Sequence, residues 1–502
     1  MLSIIPKIRE RDRQTRGGLF ASLSVLYQNF MARRYLVNSV IYMAGNVLGQ
    51  ALAFFVLPVF TRYLSPADYG ILSYTSSLVA IFYIISILSL NSFVMRHYFE
   101  LDNEQARREL FGTIFIFLLF LNIVLLLLEF ALLPYAFSSA GVQIPFHPYM
   151  TVALLDNFLE VASVLPLIFY RITANAWGYF WLLSLKSLLS ISLGLILVVW
   201  FDMGVMGRYY GSLAANIAFF FVYMIITLQV SSFRFKAETI KKGLRFSLPL
   251  LPTALAGIAF GSLDRIIQER YLSLLEMGIY SVAMTLGTAL SIVNRSFYLA
   301  VEPEMYALFS QAGYEAKVMA LKTRFLYALM LLGCMVIVFS NEITMLAVSS
   351  RFWESYRIIP FFIAAMIFKG AETFAGISLF ALNKTALQMV IYLVSLGVLV
   401  AGLFILTPLW GVTGAAAASA CSYAALFISS VWFVTRHSRI QWTAWRDTGL
   451  ILAATAVSYG LMSLDTGGLW GSFFLKAGLV ATCGTLLAGR LWRNVRIMVR
   501  PV

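Results

Sequence analysis

Charge is what this sequence has least of. Only 12% of its 502 residues are Asp, Glu, Lys or Arg, about half the share of an ordinary soluble domain. Together with 61% apolar residues, that scarcity excludes a soluble fold of this length, which would lack the polar surface to cover itself. Cysteine is nearly absent as well. Cys334, Cys421 and Cys483 all fall inside apolar runs, which excludes a disulfide framework or zinc-type spacing and makes them small hydrophobes expected to be buried. The three histidines, His97, His147 and His437, have no neighbours that would complete a metal site, and no metal or other cofactor is expected. No G-x-x-x-x-G-K-S/T loop occurs, so transport driven by a nucleotide site of that type is excluded. No small-residue cleavage site accompanies the first apolar run, which is also too long for a signal sequence, so the N-terminus is expected to stay on the protein.

What is present is a series of long apolar runs, such as Leu110–Pro134 and Leu387–Leu406. About 20 apolar residues cross a bilayer as a helix, because in lipid the backbone must satisfy its own hydrogen bonds. Barrel strands would alternate apolar and polar residues, and these runs do not. The expected fold class is an all-α polytopic membrane protein with about fourteen transmembrane helices. They fall at roughly 37–59, 70–92, 111–134, 149–170, 179–201, 208–230, 244–262, 277–300, 322–347, 357–381, 386–406, 411–434, 448–464 and 471–490. Pro58, Pro249 and Pro252 are expected to kink the first and seventh.

The net charge is +14, and no basic stripe lies on a soluble element, so no nucleic-acid partner is expected. The basic residues mark orientation and contact with membrane lipids instead. Of the 37 Lys and Arg, 27 fall in one set of alternate loops and termini. Only Arg62, Arg208, Arg265, Arg270, Arg351 and Arg357 fall in the other set. By the positive-inside rule both termini are expected in the cytoplasm. Residues 1–36 form a basic N-terminus in which Phe20, Leu23, Tyr27, Phe30 and Met31 recur at helical spacing, as in an interfacial amphipathic helix.

The chain carries an internal duplication. Arg62-Tyr63-Leu64-Ser65-Pro66-Ala67-Asp68-Tyr69-Gly70-Ile71-Leu72-Ser73 matches Arg270-Tyr271-Leu272-Ser273-Leu274-Leu275-Glu276-Met277-Gly278-Ile279-Tyr280-Ser281 at an offset of 208 residues. Gly204-Val205-Met206-Gly207 matches Gly411-Val412-Thr413-Gly414 at an offset of 207. The repeat unit holds six helices, so the copies are parallel. The expected organisation is a first lobe at 37–230, a linker at 231–243, a second lobe at 244–435, and two further helices with a basic tail at 436–502. Asp68 and Glu276 are expected to cap the helices they open, and the small faces of the sixth and twelfth helices to serve close packing.

These repeats bear a family resemblance. Phe60-Thr61-Arg62-Tyr63-Leu64-Ser65-Pro66-Ala67-Asp68-Tyr69-Gly70, then Leu244-Arg245-Phe246-Ser247-Leu248-Pro249-Leu250-Leu251-Pro252, Asp264-Arg265 and Gly278-Ile279-Tyr280-Ser281 together resemble the Wzx-type polysaccharide flippases over about residues 37–435. That branch belongs to a superfamily that also holds multidrug exporters and lipid II flippases. The resemblance implies a non-enzymatic, two-lobed transporter of a bacterial inner membrane. Its substrate would be a polyprenyl-diphosphate-linked oligosaccharide, and other polysaccharide-assembly proteins would be partners. A lipid II-type flippase and a multidrug exporter stay open as alternatives. A membrane polysaccharide polymerase is the enzyme-class alternative, although it should show a long extracytoplasmic loop that this chain lacks.

Ionisable residues at membrane depth are costly and point to function. Asp156 and Glu160 share a face of the fourth helix. Glu160 lies about 16 Å, and Lys186 of the fifth helix about 12 Å, from opposite helix ends, so their depths nearly meet in a core about 30 Å thick. Lys369 and Glu372 sit one turn apart on the tenth helix. Lys186, Lys369, Arg295 and Arg171 are the expected cavity cations, suited to phosphate oxygens. Asp156, Glu160 and Glu372 would keep them charged or carry a coupling proton, or the pairs would only neutralise one another. Asn46, Gln50 and Asn91 are candidate polar lining. Arg62, Asp264, Arg265 and Arg270 are candidates for an outer gate.

Overall fold

The computed structural model describes residues 37–309, 313–382, 384–438, 440 and 442–464, with 471, 473, 476 and 477. The basic N-terminus, most of the expected fourteenth helix, Cys483 and the basic tail lie outside the described residues. Among those described the chain is helical, with no strand, and eleven helices are long and apolar enough to cross a membrane. They are α1 Val37–Tyr63, α2 Pro66–Ile87, α3 Glu104–Ala140, α4 Phe146–Ile172, α5 Ala176–Val199, α6 Gly204–Val230, α7 Ala237–Gln268, α8 Leu274–Leu299, α9 Tyr314–Val338, α10 Ile359–Ala381 and α11 Leu387–His437. A shorter helix, α12, covers Ala444–Met462.

The first ten coincide with the ten expected from the sequence. The expected eleventh and twelfth are the two arms of α11, which turns back on itself at Gly411 (φ 56°, ψ −135°). Only glycine adopts such angles freely. The arms then run so close that a Cβ on Gly402 would lie 2.9 Å from the Cβ of Ala418, and one on Gly414 would overlap the carbonyl of Leu406. In the other half, Gly211 of α6 presses equally closely on Gly194 of α5. The small faces flagged in the sequence are thus packing faces.

Local chemistry sets the helix ends. Ser65 caps α2 and Ser273 caps α8, each with a reciprocal bond: Ser65 N–H donates to Asp68 at 2.8 Å and Ser273 N–H to Glu276 at 2.9 Å. These caps are the two carboxylates of the duplicated motif in their expected role. α7 passes through a tight turn at Leu248–Leu250, where Pro249 sits. α4 tightens at Val161–Ser163, directly after Glu160. α2 ends at Leu88 and Ser89, both with positive φ, before a short helix at Leu90–His97.

The helices alternate between two faces: the basic face, where most of the Lys and Arg of the loops lie, and the face opposite it. The apolar core of α7–α12 is one continuous cluster around α10, whereas α1–α6 divide their core among smaller clusters towards the two faces. The halves join where α2 packs on α7 and α8. At the face opposite the basic one the contact is reciprocal. Gly70 of α2 lies against Leu274 of α8, Gly278 of α8 lies against Pro66 of α2, and a Cβ on either glycine would overlap backbone oxygen. Gln143 adds a clamp, with its N–H donating to Glu269 Oε1 at 2.5 Å and its side-chain amide to the carbonyls of Glu269 (2.8 Å) and Leu272 (3.0 Å). Ser349 N–H donates to Thr61 Oγ1 at 3.3 Å, and the rings of Tyr69 and Phe352 meet edge to face at 5.2 Å.

Two expectations change. Cys421 is exposed on the protein surface and Cys334 is half-buried, rather than both being core residues. Lys322, counted among the basic loop residues, is fully buried in α9, where it pairs with Asp447 of α12 beside the ring of Trp442. A second buried pair joins Lys476 to Glu342 at 2.7 Å.

Candidate functional site

A cavity of about 480 Å³ opens between the halves. α1 contributes Val47 and Gln50, α8 contributes Arg295 and Tyr298, α10 contributes Lys369 and Glu372, and α11 contributes Gln388 and Tyr392. Each arrives by helical periodicity. Arg295 and Tyr298 are one turn apart, as are Lys369 with Glu372 and Gln388 with Tyr392, so each helix turns one short polar stripe inward.

The charges are arranged unequally. Glu372 is buried and accepts from Lys369 Nζ at 2.7 Å and from Gln388 Nε2 at 3.2 Å. Lys369 Nζ also donates to Tyr392 OH at 3.1 Å, yet a third of its side chain remains exposed. Arg295 is exposed and has no carboxylate partner among the described residues. The cavity wall therefore carries one neutralised pair and one unpaired guanidinium, a net positive lining suited to an anion.

In the first half, Lys186 of α5 pairs with Glu160 of α4. Asp156 accepts from Ser212 Oγ at 2.9 Å and Asn216 Nδ2 at 2.7 Å, both on α6. Arg171 is exposed at the basic-face end of α4. Asn46 is exposed and bonded, donating to the Tyr42 carbonyl at 2.8 Å and accepting from Tyr179 OH at 3.3 Å. Asn91 is half-buried in the short helix after α2. Of the outer candidates, Asp264 is buried and accepts from Tyr280 OH at 2.7 Å and from its neighbour Arg265 at 3.4 Å. Arg62 and Arg270 are exposed, with no ion pair among the described residues. The structure thus brings Gln50, Arg295, Lys369 and Glu372 to one cavity and leaves Lys186, Arg171, Asn46 and Asn91 outside its lining.

Sequence reasoning passed over several polar groups. Tyr298, Gln388 and Tyr392 are uncharged residues on apolar helices, and the only signal was their one-turn spacing. Arg208, taken for a loop residue, is the fifth residue of α6, within 3.4 Å of Ser190 Oγ and over the ring of Phe60. Glu129 sits inside the most apolar of these helices, α3, with no partner among the described residues.

A bundle of membrane-crossing helices around a cationic cavity defines an all-α polytopic membrane protein. Residues 35–308, more than half the chain, match the family described as polysaccharide biosynthesis protein. The chain belongs to that family, as its Wzx-type motifs imply. It is 22% identical over 280 residues to Lsg locus protein 1 of Haemophilus influenzae, a match spanning 55% of this chain and 66% of that protein, just under two thirds of its length. Its fold is similar to that of the lipid II flippase MurJ in an inward closed conformation (TM-score 0.69, 13% identity, 92% of this chain and 99% of that one). It is also similar to an inward-facing multidrug resistance MATE family transporter of the MOP superfamily (TM-score 0.60, 12% identity, 81% and 98%). At these identities the likeness is one of fold.

Proposed function

We propose that the protein translocates a polyprenyl-diphosphate-linked oligosaccharide repeat unit from the cytoplasmic to the outer leaflet of a bacterial inner membrane, with both its termini in the cytoplasm. The observation that carries this reading is the cleft between the halves, in which Arg295 stands unpaired and Lys369 is partly exposed opposite Gln50 of α1. Cations in a low-dielectric wall attract the diphosphate, while Gln50, Gln388 and Tyr392 offer hydrogen bonds to sugar hydroxyls. The lobes 37–230 and 244–435 rock about the linker 231–243. The reciprocal glycine contact and the Gln143 clamp are the closed outer gate. Membership of a polysaccharide biosynthesis family and the two-lobed fold support this assignment.

The test is transport of lipid-linked oligosaccharide into the outer leaflet of cells expressing equal amounts of wild type, Arg295→Gln or Lys369→Gln. The variants are expected to accumulate the complete repeat unit on the cytoplasmic side. Normal surface display of that unit in a deletion strain would overturn the proposal.

A further inference from the structure

The second half carries another concavity, a groove of about 710 Å³ between α8 and α9, on the flank of α8 next to the cleft. It is almost wholly apolar. Phe297 and Phe325 form its floor, stacked at 3.6 Å between ring centroids, and Val293 and Ala328 line it at the deeper end. Its one charge is Arg324, an exposed side chain on α9 with no ion pair among the described residues. Arg324 lies ten residues into α9, or about 15 Å along the helix from its basic-face end. Its near neighbour Lys322 is already matched by Asp447, which leaves Arg324 as the cation of this groove free to meet an anion.

The direction of the groove follows from the helices. α8 runs towards the basic face and α9 away from it, so Arg324 stands at the end nearer the basic face and Val293 and Ala328 lie towards the bilayer middle. A charged end towards one face and an apolar trough towards the midplane match the orientation of a lipid in the leaflet on the basic face. The groove also continues into the cleft. Ile292 lines both, and Arg295, one turn further along α8, faces the cleft.

Resting on the transport reading above, we propose that this groove docks the polyprenyl-diphosphate lipid in the leaflet on the basic face. Its isoprenoid chain lies on Phe297 and Phe325, and its diphosphate lies at Arg324, one helix face away from the cleft cations that receive it. A chain attached to a head group in the cleft must leave around α8, and this is the apolar surface it meets. The substrate is then held at two places, and the saccharide can enter the cleft while the chain stays in lipid.

The experiment uses the full chain in phosphatidylethanolamine nanodiscs with two probes: a long-chain polyprenyl diphosphate carrying a diazirine on the chain, and geranyl diphosphate, which supplies the head group with little chain. The long probe is expected to label α8 and α9 along the groove. Labelling should fall roughly tenfold in Ser296→Trp and Ala328→Trp, as when about two methylenes lose their contact, and comparably in Arg324→Gln. Geranyl diphosphate retention should be unchanged in the two tryptophan variants and lost in Arg295→Gln. Undiminished labelling in all three groove variants would overturn the groove assignment while leaving the cleft standing. So would equal competition by phosphatidylglycerol, which would make the groove an ordinary bilayer-lipid surface. Failure of wild type to retain geranyl diphosphate would instead overturn the cleft reading, with labelling of the groove by the long probe still deciding the groove.

Discussion

The two halves of the molecule solve one problem in two ways. In the second half, 89% of the most apolar stretch of α10 is buried, and Glu372 lines the cavity almost wholly covered while its partner Lys369 is a third exposed there. In the first half, α4 is buried over 56%, and Glu160 and Lys186 share what exposure there is. The pairs are not copies of each other. At the repeat offset of 208 residues, Lys369 and Glu372 correspond to Val161 and Val164, while Glu160 corresponds to Phe368. What both halves retain is the scaffold: the serine caps, the crossing glycines, and the tight pairing of α5 with α6 and of the α11 arms. Duplication kept the packing chemistry, and each half placed its membrane charges independently.

The strongest way to break this comparison is to strand the carboxylates. Lys369→Met leaves Glu372 buried without its cation and is expected to destabilise the protein by about 3–5 kcal/mol, read as thermal unfolding in detergent. Lys186→Met should cost clearly less, because Glu160 is not sealed inside the protein as Glu372 is. Combining Lys369→Met with Glu372→Met should recover most of the loss, and equal costs in the two halves would refute the asymmetry. Next in size is the crossing of α2 and α8. Gly70→Ala and Gly278→Ala each push a methyl into backbone oxygen and should cost about 1–3 kcal/mol. Because they relieve one shared contact, the double variant should cost less than the sum. A smaller effect, about 1–2 kcal/mol for two lost amide bonds, is expected for Gln143→Ala. It should also raise maleimide labelling of a cysteine placed at Ser349. The smallest and most symmetric effect is at the caps, where Ser65→Ala and Ser273→Ala should each cost about 1 kcal/mol. A marked difference between them would show that the shared scaffold is not energetically shared.

Much of this was legible in the sequence because membrane helices announce themselves locally. Apolar run length gave the crossings, and a self-match gave the duplication. Lys369, Glu372, Arg295 and Gln50 stood out because polar groups are rare in such runs. What stayed hidden depends on partners distant in the chain. Gln388 and Tyr392 carry no charge to flag them. Arg208 and Lys322 lie near helix ends, where a cation reads as loop charge, and only the fold shows that Phe60 covers one and Asp447 neutralises the other. The turn at Gly411 was read as a break between two helices, and the closeness of the arms appears only once both are packed.

The buried pair between Lys322 and Asp447 also has a consequence in time. The two residues are 125 positions apart. At a synthesis rate of about 5–20 residues per second, Lys322 is made about 6–25 seconds before its partner exists. Glu342 waits slightly longer for Lys476, 134 positions on. During that interval the nascent second half holds two unmatched charges in its apolar interior, and it can close only after α12 and the segment beyond it have arrived. Residues from Asp447 onward therefore complete the interior of the second half, and a chain stopped short of Asp447 leaves Lys322 without its carboxylate.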